Sequence, residues 1–207
     1  MLGIRDITTL LVCLVAMPAA ALDFDSPLIS DPIESQDGWA TPSVHWGTGI
    51  GGLTPSAGSE FWGSTFNQEV TIGMSKSFTG VLVEPGAYRF RIDVAQPLTS
   101  VINYNPVPYS DFGVLGLTGI SSSAVVISAV TPPAGVADWT TWEIAYTVQA
   151  GSPDVGNTLG FEMSYDNPPS YAYSMMIDNL EVAYVPEPSG LALLGLSGLL
   201  LARGRRR

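Results

Sequence analysis

Apolar residues in this chain recur at every second position, and that period restricts the folds open to it. Tyr88, Phe90, Ile92 and Val94 share one face of an extended segment, while Arg89, Arg91 and Asp93 take the other. Trp142, Ile144, Tyr146 and Val148 alternate with Glu143, Ala145, Thr147 and Gln149. Leu159, Phe161, Met163 and Tyr165 alternate with Gly160, Glu162, Ser164 and Asp166, and Leu180, Val182 and Tyr184 with Glu181 and Ala183. Alternation of this kind marks strands with one buried face. Shorter strands are expected at Val70-Thr71-Ile72, at 77–83 and at 124–130, with turns at Glu84-Pro85-Gly86, Thr131-Pro132-Pro133 and Asp166-Asn167-Pro168-Pro169. No window of the body spaces its apolar residues for an amphipathic helix. The pattern predicts an all-β fold, an antiparallel β-sandwich of the jelly-roll type.

The two ends obey a different rule. Arg5 precedes an apolar run at 7–16, and Ala19 and Ala21 then supply the small-x-small pattern read by signal peptidase. A signal peptide over 1–21 is expected, cut after Ala21. Cys13, the only cysteine, lies inside it, so the mature chain has no disulfide, no thiolate metal site and no cysteine nucleophile. An exported domain without disulfides relies on its hydrophobic core, and about 160 residues suffice for one.

At the other end, Pro186 and Pro188 keep helix from starting before Ser189. The uncharged stretch 189–202 would make ~21 Å of helix, against a hydrocarbon core of ~30 Å. Its seven leucines supply only ~3–4 kcal/mol toward insertion. This is a marginal anchor, suited to transient inner-membrane insertion. Arg203, Arg205, Arg206 and Arg207 would hold the extreme end in the cytoplasm and leave the body outside. A core helix would need a polar face that this stretch lacks.

Pro186-Glu187-Pro188, a Leu/Gly/Ala helix and terminal arginines together resemble the PEP-CTERM sorting signal of exopolysaccharide-producing bacteria with an outer membrane. The resemblance covers 185–207. It implies recognition by exosortase, a membrane transpeptidase that cuts near the Pro-Glu-Pro triplet and releases the domain to the cell surface or extracellular matrix. A triplet that cannot join the helix is expected to keep its backbone open to such an enzyme.

The body, 22–184, is the cargo. Between Leu22 and Pro188 stand three basic residues, Lys76, Arg89 and Arg91, against eighteen acidic ones, a formal charge of −15. Such a surface has no basic patch for a phosphate backbone, which excludes nucleic-acid binding, and it suits a soluble, self-repelling protein or a collector of cations. The opening Leu22-Asp23-Phe24-Asp25, then Asp37-Gly38-Trp39, Pro85-Gly86-Ala87-Tyr88-Arg89-Phe90, Trp139-Thr140-Thr141-Trp142 and Ile177-Asp178-Asn179-Leu180-Glu181-Val182 resemble the galactose-binding-like jelly roll of many carbohydrate-binding modules. The chain departs from that pattern in lacking the usual opening Asn-Gly and in carrying Asp25 where glutamate is common.

Simple alternation places Asp178 on the face of Leu180, Val182 and Tyr184, the expected core face. A buried carboxylate must be compensated, either by backbone amides of a neighbouring loop or by a structural Ca²⁺ shared with Asp23 or Asp25. The resemblance favours calcium where first and last strands meet.

Other chemistry is sparse. Gly47-Thr48-Gly49-Ile50-Gly51-Gly52 satisfies a dinucleotide motif formally, but Pro55 follows and no βαβ unit surrounds it. His45 is the only histidine, and no nucleophile elbow accompanies it. Glu60, Glu143 and Glu162 could supply a glycosidase carboxylate pair, as any acidic chain could. Trp39, Trp46, Trp62, Trp139 and Trp142 fill a core or, with Tyr104, Tyr109, Tyr171 or Tyr173, stack on sugar rings. The expected function is a non-enzymatic surface or matrix protein sorted by exosortase and associated with exopolysaccharide. A carbohydrate-binding module with a defined glycan is the alternative, and a glycoside hydrolase or lyase the third reading.

Overall fold

A computed structural model describes residues 24–34, 38–40, 45–47, 53–66, 70–95, 108–133, 138–167 and 173–187. Among them ten strands form two antiparallel sheets, and the helical content is one 3-10 turn, Tyr109–Asp111. The strands are β1 (Ile29–Asp31), β2 (His45–Gly47), β3 (Phe61–Phe66), β4 (Val70–Leu82), β5 (Gly86–Ala95), β6 (Phe112–Thr118), β7 (Val125–Ser128), β8 (Thr140–Val148), β9 (Thr158–Asn167) and β10 (Tyr173–Pro186). The large sheet runs β2-β3-β10-β5-β8-β7, with β1 also on β10. The small sheet runs β4-β9-β6.

The four strongest alternating segments became β5, β8, β9 and β10, and their apolar faces form the core. Phe90, Ile92, Val94, Trp142, Ile144, Leu159, Phe161, Leu180 and Val182 are fully buried in one cluster between the sheets. Phe161 of the small sheet meets Phe90 of the large sheet edge-on, with ring centroids 5.6 Å apart. Tyr109 and Phe112 close one side of this core by meeting Trp142 edge-on at 5.8 and 5.7 Å.

The expected short strands at 70–72 and 77–83 are parts of one strand, β4, whose pairing with β9 shifts register between Ser77 and Leu82. β7 lies within the expected 124–130, but at the rim of the large sheet, where Val125 and Ile127 remain 61% and 46% exposed. β1, β2, β3 and β6 have no counterpart among the expected strands. In β3, Phe61 and Trp62 are adjacent and both fully buried, because Trp62 joins the main core and Phe61 a second cluster on the opposite side. In β6, Gly113 and Gly116 interrupt the apolar pattern.

Tyr146 explains one of those glycines. Its ring lies in the core, and its hydroxyl accepts the N–H of Leu117 at 3.2 Å. A Cβ on Gly116 would overlap that hydroxyl oxygen. Burial pushes the Tyr146 phenol up to about 12, so it stays a neutral donor and acceptor. Gly116→Ala is expected to cost ~1–3 kcal/mol through overpacking and Tyr146→Phe ~1 kcal/mol through the lost hydrogen bond. In urea denaturation the double variant should lose less than the sum, because removing the hydroxyl makes room for the methyl group.

Candidate functional site

Asp178 is fully buried, as expected, but faces away from the main core. Ile177 pairs with Val94 and Asp178 with Asp93, after which the pairing of β10 with β5 slips and resumes at Glu181 and Arg91. Asn179 adopts φ 52°, a left-handed conformation that asparagine tolerates better than most residues. The extra residue resets the alternation, so Ile177 and Leu180 both enter the main core. Asp178 instead shares the outer face of the large sheet with Asp93, its neighbour across the strands. The expectation from unbroken alternation is corrected here: a bulge inverts the phase at this residue.

The segment 53–60 covers the two carboxylates. The Asp178 Oδ2 accepts the N–H of Ser56 at 2.7 Å, the N–H of Ala57 at 3.1 Å and the Ser56 hydroxyl at 3.1 Å. Its Oδ1 accepts the Asn179 N–H at 2.8 Å. Asp93 accepts from Thr141 Oγ1 at 2.6 Å, from Asn179 Nδ2 at 3.1 Å and from Ser56 Oγ at 2.9 Å. The Ser56 oxygen is therefore within bonding reach of both carboxylates, with a single proton to share between them.

Beside this network, Leu53, Phe61, Ala95 and Met176 form the second apolar cluster. Trp139 packs on it, edge-on to Phe61 at 5.5 Å, and donates its indole N–H to Thr54 O at 2.8 Å. Segment 53–60 is thus fixed by polar contacts at Ser56 and Ala57 and by apolar ones at Leu53 and Trp139. Burial is the largest influence on Asp178 and lifts its carboxyl above the ordinary 3.8, while the N–H bonds of Ala57, Ser56 and Asn179 pull the other way.

Oδ2 of Asp178 is surrounded by the Ser56 and Ala57 N–H groups and the Ser56 hydroxyl, and Oδ1 takes the Asn179 N–H. A cation at Oδ2 would face N–H groups, so that oxygen does not fit a calcium site. Asp25 is exposed, Asp23 lies outside the described residues, and among the described residues no trio of His, Cys, Asp or Glu could hold a metal ion. Of the two compensations open to Asp178, the amides of a neighbouring loop are the one observed.

The remaining expected residues scatter. Glu143, between Trp142 and Ile144, points outward from the large sheet and pairs with Arg89, while Arg91 pairs with Glu181. Phe24 lies over both arginines, with its ring centroid 4.4 Å from the Arg91 guanidinium carbon and 5.5 Å from that of Arg89. Glu162, between Phe161 and Met163, points outward from the small sheet. Carboxylates on the two outer faces of a sandwich are separated by more than the ~10 Å between its sheets. Glycosidase pairs need ~5–9.5 Å, so Glu143 and Glu162 cannot act together. Trp39, Trp62 and Trp142 are buried, and Tyr109 packs on the core, so none of these offers a sugar platform. His45 and Trp46 lie in β2, Tyr173 opens β10, and Tyr104, Tyr171 and most of 47–52 fall outside the described residues.

Ala19, Ala21, Pro188 and Arg203, Arg205, Arg206 and Arg207 also fall outside them. Pro186 and Glu187 do not. β10 runs two residues beyond the expected end of the body, pairing Val185 with Ala87 and Pro186 with Gly86. Glu187 N–H then donates to Pro85 O at 3.1 Å. The backbone expected to lie open is, up to Glu187, part of the sheet. Among the described residues no helix is long and apolar enough to cross a membrane.

No family model matches the chain, and no curated protein matches it in sequence. Among solved structures, a cyclase from Fischerella sp. TAU superposes with a TM-score of 0.51 at 15% identity, covering 83% of this chain and 98% of that one. An apo form of a cyclase from Fischerella sp. gives 0.51 at 16% identity, covering 83% and 97%. The CBM22-1 xylan-binding domain from Paenibacillus barcinonensis Xyn10C gives 0.46 at 15%, covering 79% and 97%, too distant to carry weight. The chain therefore shares with the Fischerella cyclases a fold, the antiparallel jelly-roll β-sandwich.

Asp178 sets a pH dependence whose sign follows from its raised value. The folded chain holds this proton more tightly than the unfolded chain does. Its contribution to stability is thus fully present below about 3.8 and is lost as pH rises through the folded value. In thermal melts across that window, the stability of the native protein relative to Asp178→Asn should fall with rising pH. Asp178→Ala leaves the Ser56, Ala57 and Asn179 amides without their acceptor and should cost ~3 kcal/mol.

Proposed function

We propose that this chain is an exported, non-enzymatic protein of the bacterial cell surface or extracellular matrix, sorted by exosortase through its carboxyl end. The observation that carries this reading is the junction at Pro186. There the last strand of the sandwich hands over without a spacer to Glu187-Pro188, a short apolar stretch and four arginines. What supports it further is the division of labour along the sequence. The described core draws its apolar residues from 29–184, so the targeting ends can be removed without opening it. Signal peptidase and exosortase are the processing partners, and the inner membrane is a transient station.

Association with extracellular polysaccharide is the second part of the proposal. The outer face of the small sheet carries Ser75, Ser77, Glu162 and Ser164, the residues opposite the buried Met74, Phe161 and Met163. Gly73 and Gly160 lie among them as close-approach positions, where a Cβ would overlap Met163 O and Thr118 Oγ1. Hydroxyls and one carboxylate on the outward side of a strand pair match the hydrogen-bonding groups of a polysaccharide. The Fischerella proteins named as cyclases share the fold alone, and at that distance a fold carries no activity with it.

Mass spectrometry of the protein recovered from producing cells, their surface and their medium tests the sorting reading. The mature form should begin at Leu22 and lack Arg203, Arg205, Arg206 and Arg207. Recovery of the intact arginine end, unchanged when the exosortase is deleted, would overturn it.

A further inference from the structure

The Pro-Glu-Pro triplet has only one backbone N–H, because proline has none. That N–H, on Glu187, is already bonded to Pro85 O at 3.1 Å. The same carbonyl accepts the Tyr184 hydroxyl at 3.0 Å. Pro85 is itself held in place from the core. Glu84 N–H donates to the Tyr88 hydroxyl oxygen at 2.7 Å, and that hydroxyl donates to Glu84 O at 3.0 Å. The Tyr88 and Tyr184 rings lie against each other with centroids 4.7 Å apart.

Gly86 completes the arrangement. It pairs with Pro186, and a Cβ there would come within 2.6 Å of Tyr184 Cε2 and 3.1 Å of Pro186 Cα, and would overlap Val185 O. Two tyrosines, one turn and one glycine thus serve to bring the end of β10 tightly onto the start of β5.

We propose that the turn Glu84-Pro85-Gly86, with Tyr88 and Tyr184, is a clasp that holds Val185, Pro186 and Glu187 in the sheet and gates any cut of the chain at the triplet. An enzyme that reads an extended backbone forms hydrogen bonds to it as an added strand does. Backbone paired with β5 offers such an enzyme only the groups of its other flank, and the Glu187 N–H is not among them, so full access to the triplet requires the last residues of β10 to fray from 85–87. The fold thereby delays cutting while exposing nothing of its core when the cut comes. The clasp rests on geometry alone, whereas its action as a gate rests on the sorting reading above.

The test uses the full chain, purified in detergent, and three forms of it: native, Tyr184→Phe and Gly86→Val. Hydrogen exchange at the Glu187 amide reports the clasp directly, and amides in β8 and β9 report whether the sandwich remains folded. Native protein should exchange at Glu187 well below the free-chain rate. Tyr184→Phe keeps the ring contact, loses the hydroxyl and should exchange about fivefold faster, as loss of one hydrogen bond implies. Gly86→Val should approach the free-chain rate, with β8 and β9 still protected. Free-chain exchange in the native protein, or no change in either variant, overturns the clasp.

The same variants expressed in producing cells report the gate. Faster appearance of the form lacking its arginine end supports it. Faster exchange with unaltered trimming overturns the gate but leaves sorting intact. If no form is ever trimmed, the sorting reading falls and the gate with it, while the exchange result still decides the clasp.

Discussion

One added residue in β10 organises the large sheet. Without the bulge at Asp178 and Asn179, the strand would have to choose between burying Ile177 with Met175 and burying Leu180 with Val182. The bulge lets it bury all four on one side and frees Asp178 for the other. The consequence is a second buried layer. Asp178 and Asp93 anchor the segment 53–60 from the outer face, and Leu53, Phe61, Ala95 and Met176 pack beneath it. A sheet that would otherwise show one face to water is covered on part of both.

β10 is also the longest strand, and its length lets it organise neighbours. Along one flank it pairs with β5 almost end to end. Along the other it meets β3 over its first half, at 173–177, and β1 over its second, at 180–182. The bulge falls between those two partners. The strand that closes the fold in sequence is therefore central in space, as expected when late strands return beside early ones in a Greek-key arrangement.

The charges follow a consistent plan. Lys76, Arg89 and Arg91 are the only basic residues of the body, and each is engaged within the domain. Lys76 bonds Asp31 at 2.6 Å and lies 5.2 Å from the Trp39 ring centroid, while Arg89 and Arg91 pair with Glu143 and Glu181. These pairs gain little on a wet surface, but their partial burial beside Trp39 and Phe24 makes them part of the packing. Three basic residues cannot balance the acidic ones of the body, and the net negative charge that remains favours a self-repelling domain.

The sequence by itself determined the fold class and the faces of its inner strands. In β5, β8 and β9 each residue has one neighbour on either side of the sheet, so burial of one face writes a period of two directly into the chain. It also set the two ends apart from the body, because neither shows that period. Tertiary structure alone decided what the period cannot encode. Phe61 and Trp62 are buried on opposite faces, so β3 carries no alternation to read. The gap in β6 at Gly116 is set by a tyrosine thirty residues away. The burial of Asp178 was legible, but not its side, since that depended on the Asn179 bulge. The amides that satisfy it lie more than a hundred residues back, and only folding brings such distant groups within bonding distance.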